Sequence, residues 1–341
     1  MKGFLGLAVG VTSILLIVSM AGAQTIQYTA TMLGRVCDQC NTLAIGVNKH
    51  GIVMGNIYNQ TPGSWHTFLW SAKTGMTDIG TVPNGADQTI GFAINDQNEI
   101  TGYLTLVPSG YDVFTYRNGE FRLLGIGGIS AGLAINKFGE IAGYFSYDPS
   151  DLNKHHGFRY VKGLIEEIVG LYLANGINDY GDVVGFTTGE SATRQAAVLF
   201  DGETDITTLV GPISSATGIN NSRAVIGGDQ NGAFVWQNGL ITHLGTLGGA
   251  VSGPYAINDS GDIVGTSTDA LEIAHGFLYR DGHMYKLEDL VVQLPAECHR
   301  IWEARAINNR GDIVGTCATP DPVNPGGEAW SEAILLSPLK H

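Results

Sequence analysis

The chain of 341 residues carries 48 glycines, about twice the usual share, with 15% charged residues and only 18 Lys and Arg. An apolar content of 44% excludes the weakly hydrophobic, highly charged composition of disordered chains, and glycine without a three-residue period excludes collagen. A net charge of −14 without any Lys/Arg cluster argues against nucleic acid as a partner, because phosphate backbones are held by such clusters.

Residues 1–23 read as a secretory signal: Lys2, then an apolar segment from Phe4 to Met20, then the small-x-small site Ala21-Gly22-Ala23. No later apolar run is long enough to span a membrane. Residues 24–341 are therefore expected to form a single domain, secreted or periplasmic and monomeric. The segment Ile26 to Gly34 reads as a strand with no neighbour in sequence. Cys37, Cys40, Cys298 and Cys317 make an even count in an exported chain, which predicts disulfides. Of the three pairings, Cys37–Cys40 with Cys298–Cys317 is favoured; the cross-pairings and a zinc site drawing on all four remain open. The Cys-x-x-Cys spacing at 37–40 lacks the βαβ unit that a redox motif requires.

From residue 47 onward a nonapeptide, Ile-Asn-x-x-Gly-acid-Ile-Val-Gly in its commonest form, recurs seven times. Its asparagines are Asn48, Asn95, Asn136, Asn178, Asn220, Asn258 and Asn308, at intervals of 47, 41, 42, 42, 38 and 50. Asn at the first corner and Gly at the fourth is a type I turn signature, and a left-handed Gly makes it a hairpin with a bulge. Asn98 replaces that Gly in the second copy and suits the left-handed region. Arg223 replaces it in the fifth, which predicts a strained or rearranged turn. Two residues before each Asn stand only Gly or Ala, as crowded inner strands require. The residue three before it varies: Ile45, Phe92, Leu133, Asn175, Thr217, Tyr255, Arg305.

After each hairpin comes a strand with aromatics in alternation, such as His66-Thr67-Phe68-Leu69-Trp70 and His275-Gly276-Phe277-Leu278-Tyr279, then a Gly turn and a short fourth strand. Four antiparallel strands, A to D, in a period near 43 predict an all-β fold, a seven-bladed β-propeller. The seventh copy lacks its fourth strand, so the N-terminal strand is expected to complete that blade and close the ring, covering both open edges.

The pattern Ala-Ile-Asn-x-x-Gly-Asp-Ile-Val-Gly with His-x-Phe-Leu-Trp/Tyr, plus Leu-Gly-Thr-Leu-Gly-Gly at 244–249, resembles the HAF-repeat extracellular proteins over essentially all of the mature chain. Their His-Ala-Phe tripeptide stands here as His66-Thr67-Phe68, His156-Gly157-Phe158 and His275-Gly276-Phe277. The resemblance implies an exported repeat protein and carries no catalytic residues.

The alternating Asn, Ser and Asp side chains of the turns lack the distal acid of a calcium loop, and His66, His156 and His275 lie on different repeats; no metal or cofactor is expected. Those histidines are assigned a packing or hydrogen-bonding role inside their repeats. Insertions fall in the B–C and D–A connections, which share one face, so ligand binding is expected there. The segment Glu297 to Arg305 departs most from the repeat; His299, Arg300, Trp302, Glu303 and Arg305 suit a sugar or an anionic ligand, and Trp65 is a second candidate. No paired carboxylates mark a glycosidase. The expected function is non-catalytic binding or surface interaction with a small molecule, glycan or protein. An extracellular carbohydrate-active hydrolase or lyase and a structural envelope component are the alternatives.

Overall fold

The computed structural model describes residues 26–37, 40–60, 63–81, 87–106, 110–148, 154–188, 194–201, 207–320 and 328–339; the expected signal segment lies outside them. The fold is all-β and propeller-like. The chain opens with β1 (Tyr28–Met32). The first repeat follows as β2 (Cys40–Val47), β3 (Val53–Asn59), β4 (Ser64–Ser71) and β5 (Gly75–Asp78). The second holds β6 (Thr89–Ile94), β7 (Ile100–Thr105), β8 (Tyr111–Arg117) and β9 (Glu120–Leu123). The third holds β10 (Ile129–Ile135), β11 (Ile141–Ser146), β12 (His156–Val161) and β13 (Leu164–Glu167). The fourth has β14 (Leu173–Ile177), β15 (Val183–Thr188), β16 (Arg194–Phe200) and β17 (Thr207–Val210). The fifth has β18 (Ser215–Ile219), β19 (Val225–Asp229), β20 (Gly232–Gln237) and β21 (Leu240–His243). The sixth has β22 (Gly248–Ile257), β23 (Ile263–Asp269), β24 (Ala274–Arg280) and β25 (His283–Lys286), followed by α1 (Leu287–Leu290). The last has β26 (Arg300–Ile307), β27 (Ile313–Pro320) and β28 (Glu328–Pro338).

Each repeat is an antiparallel meander, and a single parallel bridge, Ile129 to Tyr111, joins the second and third into one eight-stranded sheet. β1 pairs antiparallel with β28, in the order β1-β28-β27-β26, with Tyr28 opposite Pro338 and Met32 opposite Ile334.

The nonapeptides form the A–B hairpins as expected. In the first, Gly51 N–H donates to Asn48 C=O and Asn48 N–H to Ile52 C=O, with Gly51 at φ 76°. The Asn48 side-chain oxygen accepts from the N–H groups of His50 and Ile52 at 3.0 and 3.1 Å, an Asx turn that fixes the bend. Arg223 keeps this geometry at φ 59° instead of rearranging the turn.

The asparagines also do what their turn role does not require. Each side-chain amide donates to the backbone carbonyl of the next repeat's asparagine: Asn48 to Asn95, Asn95 to Asn136, Asn136 to Asn178, Asn178 to Asn220, Asn220 to Asn258 and Asn258 to Asn308. Asn308 donates back to Asn48 at 2.9 Å. All seven are buried, so these bonds satisfy groups that would otherwise be desolvated without partners.

The variable residue of strand A is a β-bulge in every repeat: the A–B register shifts at Ile45, Phe92, Leu133, Asn175, Thr217, Tyr255 and Arg305. Left out of the ladder, it is free of the pairing constraint. The nonapeptide's last glycine lies inside strand B, as at Gly55 in β3 and Gly143 in β11, not at the strand end. A Cβ there would sit 2.1 Å from Leu43 O and 2.0 Å from Ala131 O respectively, and within 2.9 Å of the Phe68 or Phe158 ring. Those rings, with Phe114, Phe234 and Phe277, are fully buried at the centre of strand C. Core clusters run between neighbouring repeats, as where Ile226 and Ala233 of the fifth pack with Ile263 and Phe277 of the sixth.

Candidate functional site

The cleft begins at the B–C turn of the sixth repeat. Asp269 turns the chain there: its Oδ1 accepts from the N–H groups of Leu271 and Ile273, at 2.8 and 3.1 Å. These backbone bonds, Ile273's foremost, together with His275, hold the Asp269 carboxyl below its usual range, so it stands as a carboxylate. Its Oδ2 lies 3.1 Å from His275 Nε2, and on the other edge of the ring His275 Nδ1 lies 3.0 Å from Glu288 Oε1. Glu288 sits on α1, and the same oxygen accepts from Ile301 N–H at 3.0 Å. Whichever ring nitrogen carries the hydrogen, it meets a carboxylate. Glu288 Oε2 is buried and has no donor among the described residues.

This arrangement elaborates a pin used elsewhere. His66 Nδ1 lies 2.8 Å from Asp78, and His156 Nδ1 lies 2.7 Å from Glu167, each joining strand C to strand D within one repeat. The three histidines therefore make the intra-repeat hydrogen bonds expected of them. The sixth differs in depth: the His275 side chain is 6% exposed, against 32% and 37% for His66 and His156. The segment from α1 to Arg300 passes over it, and the Cys298–Cys317 disulfide ties that segment to β27. Cys37–Cys40 is the second disulfide, so the favoured pairing is the one present.

Between these walls lies a cleft of about 580 Å³, within the usual size of a ligand site, lined by Asp269, Ile273, His275, Lys286, Glu288, Leu294, His299 and Arg300. Lys286, Arg300 and His299 supply polar groups to the lining, and Ile273 and Leu294 supply apolar surface. Arg300 Nη1 also donates to Ala274 C=O at 2.9 Å, which ties its head to the histidine strand.

Of the residues singled out in the sequence, His299 and Arg300 line this cleft. Trp302, Glu303 and Arg305 lie on the inner strand β26 instead. Glu303 is buried, accepts from the Thr316 hydroxyl at 2.9 Å and pairs with Arg305 at 2.8 Å, while the Arg305 guanidinium covers the Tyr255 ring at 4.4 Å. Trp302 is half-buried and its carbonyl accepts from Thr266. Trp65 packs on Tyr58 in the first repeat, at 4.8 Å between ring centres. Asp269, Lys286 and Glu288 were missed. The available signal was the sixth repeat's His-Gly-Phe with an acid both six residues before His275 and thirteen after it. Among the described residues no group of three or more His, Cys, Asp or Glu is arranged to hold a metal, and no helix is long and apolar enough to cross a membrane.

No protein-family model matches the chain, and no curated protein matches it. Solved structures do. A catalytically inactive virginiamycin B lyase from Staphylococcus aureus with quinupristin is 13% identical at a TM-score of 0.57, over 91% of this chain and 99% of that one. Oligogalacturonate lyase from Vibrio parahaemolyticus is 11% identical at 0.56, over 92% and 97%. The β-propeller domain of the Trilobed protease from Pyrococcus furiosus is 13% identical at 0.51, over 72% and 84%. At these identities the likeness is one of fold: the chain has the architecture of propeller proteins.

Proposed function

We propose that the chain is an exported, non-catalytic binding module of the HAF-repeat kind, a seven-bladed β-propeller in which β1 completes the last blade, with residues 24–341 as its single domain. The seven four-strand units, the asparagine contacts that return from Asn308 to Asn48, and the β1–β28 pairing support the blade count and closure. The two disulfides support export. Its ligand carries an anionic group and is held in the cleft between the sixth and seventh repeats. Lys286, His299 and Arg300 line a cavity whose two carboxylates, Asp269 and Glu288, are already engaged by backbone N–H groups and His275, and this carries the reading. Surveying the mature protein against acidic and neutral glycans tests it. Acidic members are expected to bind, Arg300→Ala to weaken them at least tenfold (about 1.4 kcal/mol), and Trp302→Ala to leave them unchanged. Equal binding by the Arg300 variant would remove the cleft from consideration.

A hydrolase or lyase on the same scaffold is the second reading. The observation in its favour is Glu288, which lines the cleft and whose Oε2 accepts no hydrogen bond among the described residues; as a general base it would have to reach the proton it takes. It predicts turnover of a bound glycan that disappears in Glu288→Gln; binding without any product excludes it.

A further inference from the structure

The opposite face, where the A–B turns converge, holds a second cavity of about 220 Å³. Its floor is the branched aliphatic residue before each asparagine, Val47 in the first repeat and Ile in the other six, and its rim is the residue after each. The rim residues are also chained together. Backbone N–H groups donate to the next repeat's side-chain oxygen from Lys49 to Asp96, Lys137 to Asp179, Asp179 to Asn221, Asn221 to Asp259 and Asp259 to Asn309, at 2.8–3.2 Å.

The chain breaks twice. After Asp96 the next rim residue is Lys137, and after Asn309 it is Lys49; an ammonium has no lone pair to offer. The N–H groups of Asp96 and Asn309 therefore meet no acceptor among the described residues, although both residues line the cavity. The lysine heads are turned elsewhere: Lys49 to Asp96 at 3.4 Å, Lys137 to Asp179 at 3.0 Å. Asp259 is held by two amides, Asn221 and Asn309, at 3.1 and 2.7 Å, with no cation. Three aspartates against two lysines leave the rim at −1, which repels an anion. Two N–H groups not bonded within the rim, a negative rim and the aliphatic residues beneath it together describe a neutral guest with hydroxyls at its edge and C–H groups on its face.

We propose that this cavity binds the terminal ring of a neutral glycan, whose hydroxyl oxygens accept from Asp96 and Asn309 and whose apolar face rests on the Val/Ile floor. Phe138 and Tyr180 stand one position beyond the rim in the third and fourth repeats, 66% and 70% exposed. The Tyr180 ring, and the face of Phe138 away from the Lys137 ammonium that sits 4.8 Å over it, are offered to the next sugar. The site is independent of the cleft on the other face.

The experiment titrates the mature protein with methyl glycosides of glucose, galactose, mannose and N-acetylglucosamine, followed by calorimetry and by the amide resonances of Asp96 and Asn309. At least one is expected to bind with a Kd on the order of 1 mM and to move both resonances. Lys137→Asn supplies the missing acceptor from within, as Asn221 and Asn309 do. It should raise the unfolding midpoint and weaken the glycoside about tenfold. Lys137→Met, which adds no acceptor, should bind within about twofold of wild type, as should Arg300→Ala. Absence of binding by all four glycosides, unchanged binding in Lys137→Asn, or displacement by acetate or inorganic phosphate would each overturn the proposal.

Discussion

At the residue scale the molecule's exceptions are as informative as its rules. Arg223 occupies a left-handed position that costs an L-residue about 1 kcal/mol, where other repeats place Gly or Asn. Its guanidinium explains the substitution: it bonds both oxygens of Asp182 in the preceding repeat, at 2.8 and 3.0 Å, and Asp182 is completely buried. The arginine is about half exposed, so solvent weakens the pair to about 2 kcal/mol. Arg223→Gly should relieve the backbone and still destabilise by about 1 kcal/mol, because it leaves a buried carboxylate with no cation and only the Asn178 amide bonding its side chain. In an Asp182→Asn background the same change should stabilise by a similar amount. Urea denaturation of the four proteins reads the sign reversal; the same sign in both backgrounds would show that the ion pair does not compensate the turn. Arg280 plays a comparable part for Asp262, bonding both carboxylate oxygens, the second at 2.6 Å.

At the element scale, the glycine surplus traces to strand pairing as much as to turns. Every strand B has a glycine opposite the bulged stretch of strand A, where the displaced carbonyl occupies the space of a Cβ. The distances run from 1.8 Å at Gly185 to 2.2 Å at Gly227. Gly143→Ala should therefore cost at least about 3 kcal/mol, since neither Ala131 O nor the Phe158 ring can retreat. Gly119→Ala, at φ 88° in a C–D turn with open space around it, should cost about 1 kcal/mol. Thermal melts of the two variants rank them, and equal losses would mean that backbone conformation alone sets the requirement. The strands and turns were legible in the sequence because each repeats with its own punctuation: Asn and Gly at the bend, alternating aromatics after it. The bulge was not, since its position shows only as a residue that varies from Ile45 to Arg305. Nor was the cleft, which draws Asp269, His275, Glu288, His299 and Arg300 from two connections and the strands beside them; periodicity is silent about residues that matter by departing from it. His299 and Arg300 were found only because their segment departs from the repeat, and Trp302, Glu303 and Arg305 came with them although strand β26 carries these into the inner packing.

At the scale of the whole molecule, the question is what holds the first repeat to the last. Three sets of contacts span the chain's length. In the core, Ala44, Val47, Val53 and Phe68 of the first repeat pack with Val314, Ala333 and Leu335 of the last, and the N–H groups of Ser331 and Ala333 donate to Asn41 Oδ1 and Thr42 Oγ1. On the inside, the Asn308 amide reaches the Asn48 carbonyl. On the outside, β1 lies against β28, with Leu33 N–H donating to Ala333 C=O and Leu339 N–H to Gln27 C=O beyond the paired strands. Tyr28 is completely buried among Ile334, Leu336, Leu278 and Leu287, and burial pushes its phenol up to about 12. Arg35 pairs with Glu332 at 2.9 Å just past the strand. A chain beginning at residue 35 keeps Arg35 but loses β1 with its buried Tyr28, and leaves β28 as an unpaired edge, the condition that invites association between copies. Such a truncation should lower the unfolding midpoint, broaden the transition and aggregate on concentration. A synthetic peptide of residues 24–34 added in trans should bind it by strand addition, restore the midpoint and suppress aggregation. A peptide with Tyr28→Ala should bind at least tenfold more weakly, from the loss of a buried aromatic. If the truncated chain instead melts as sharply and as high as the intact one, the inner asparagine bonds and the packing of the first repeat on β27 and β28 hold the first repeat to the last without it, and β1 is only a cover for the last sheet.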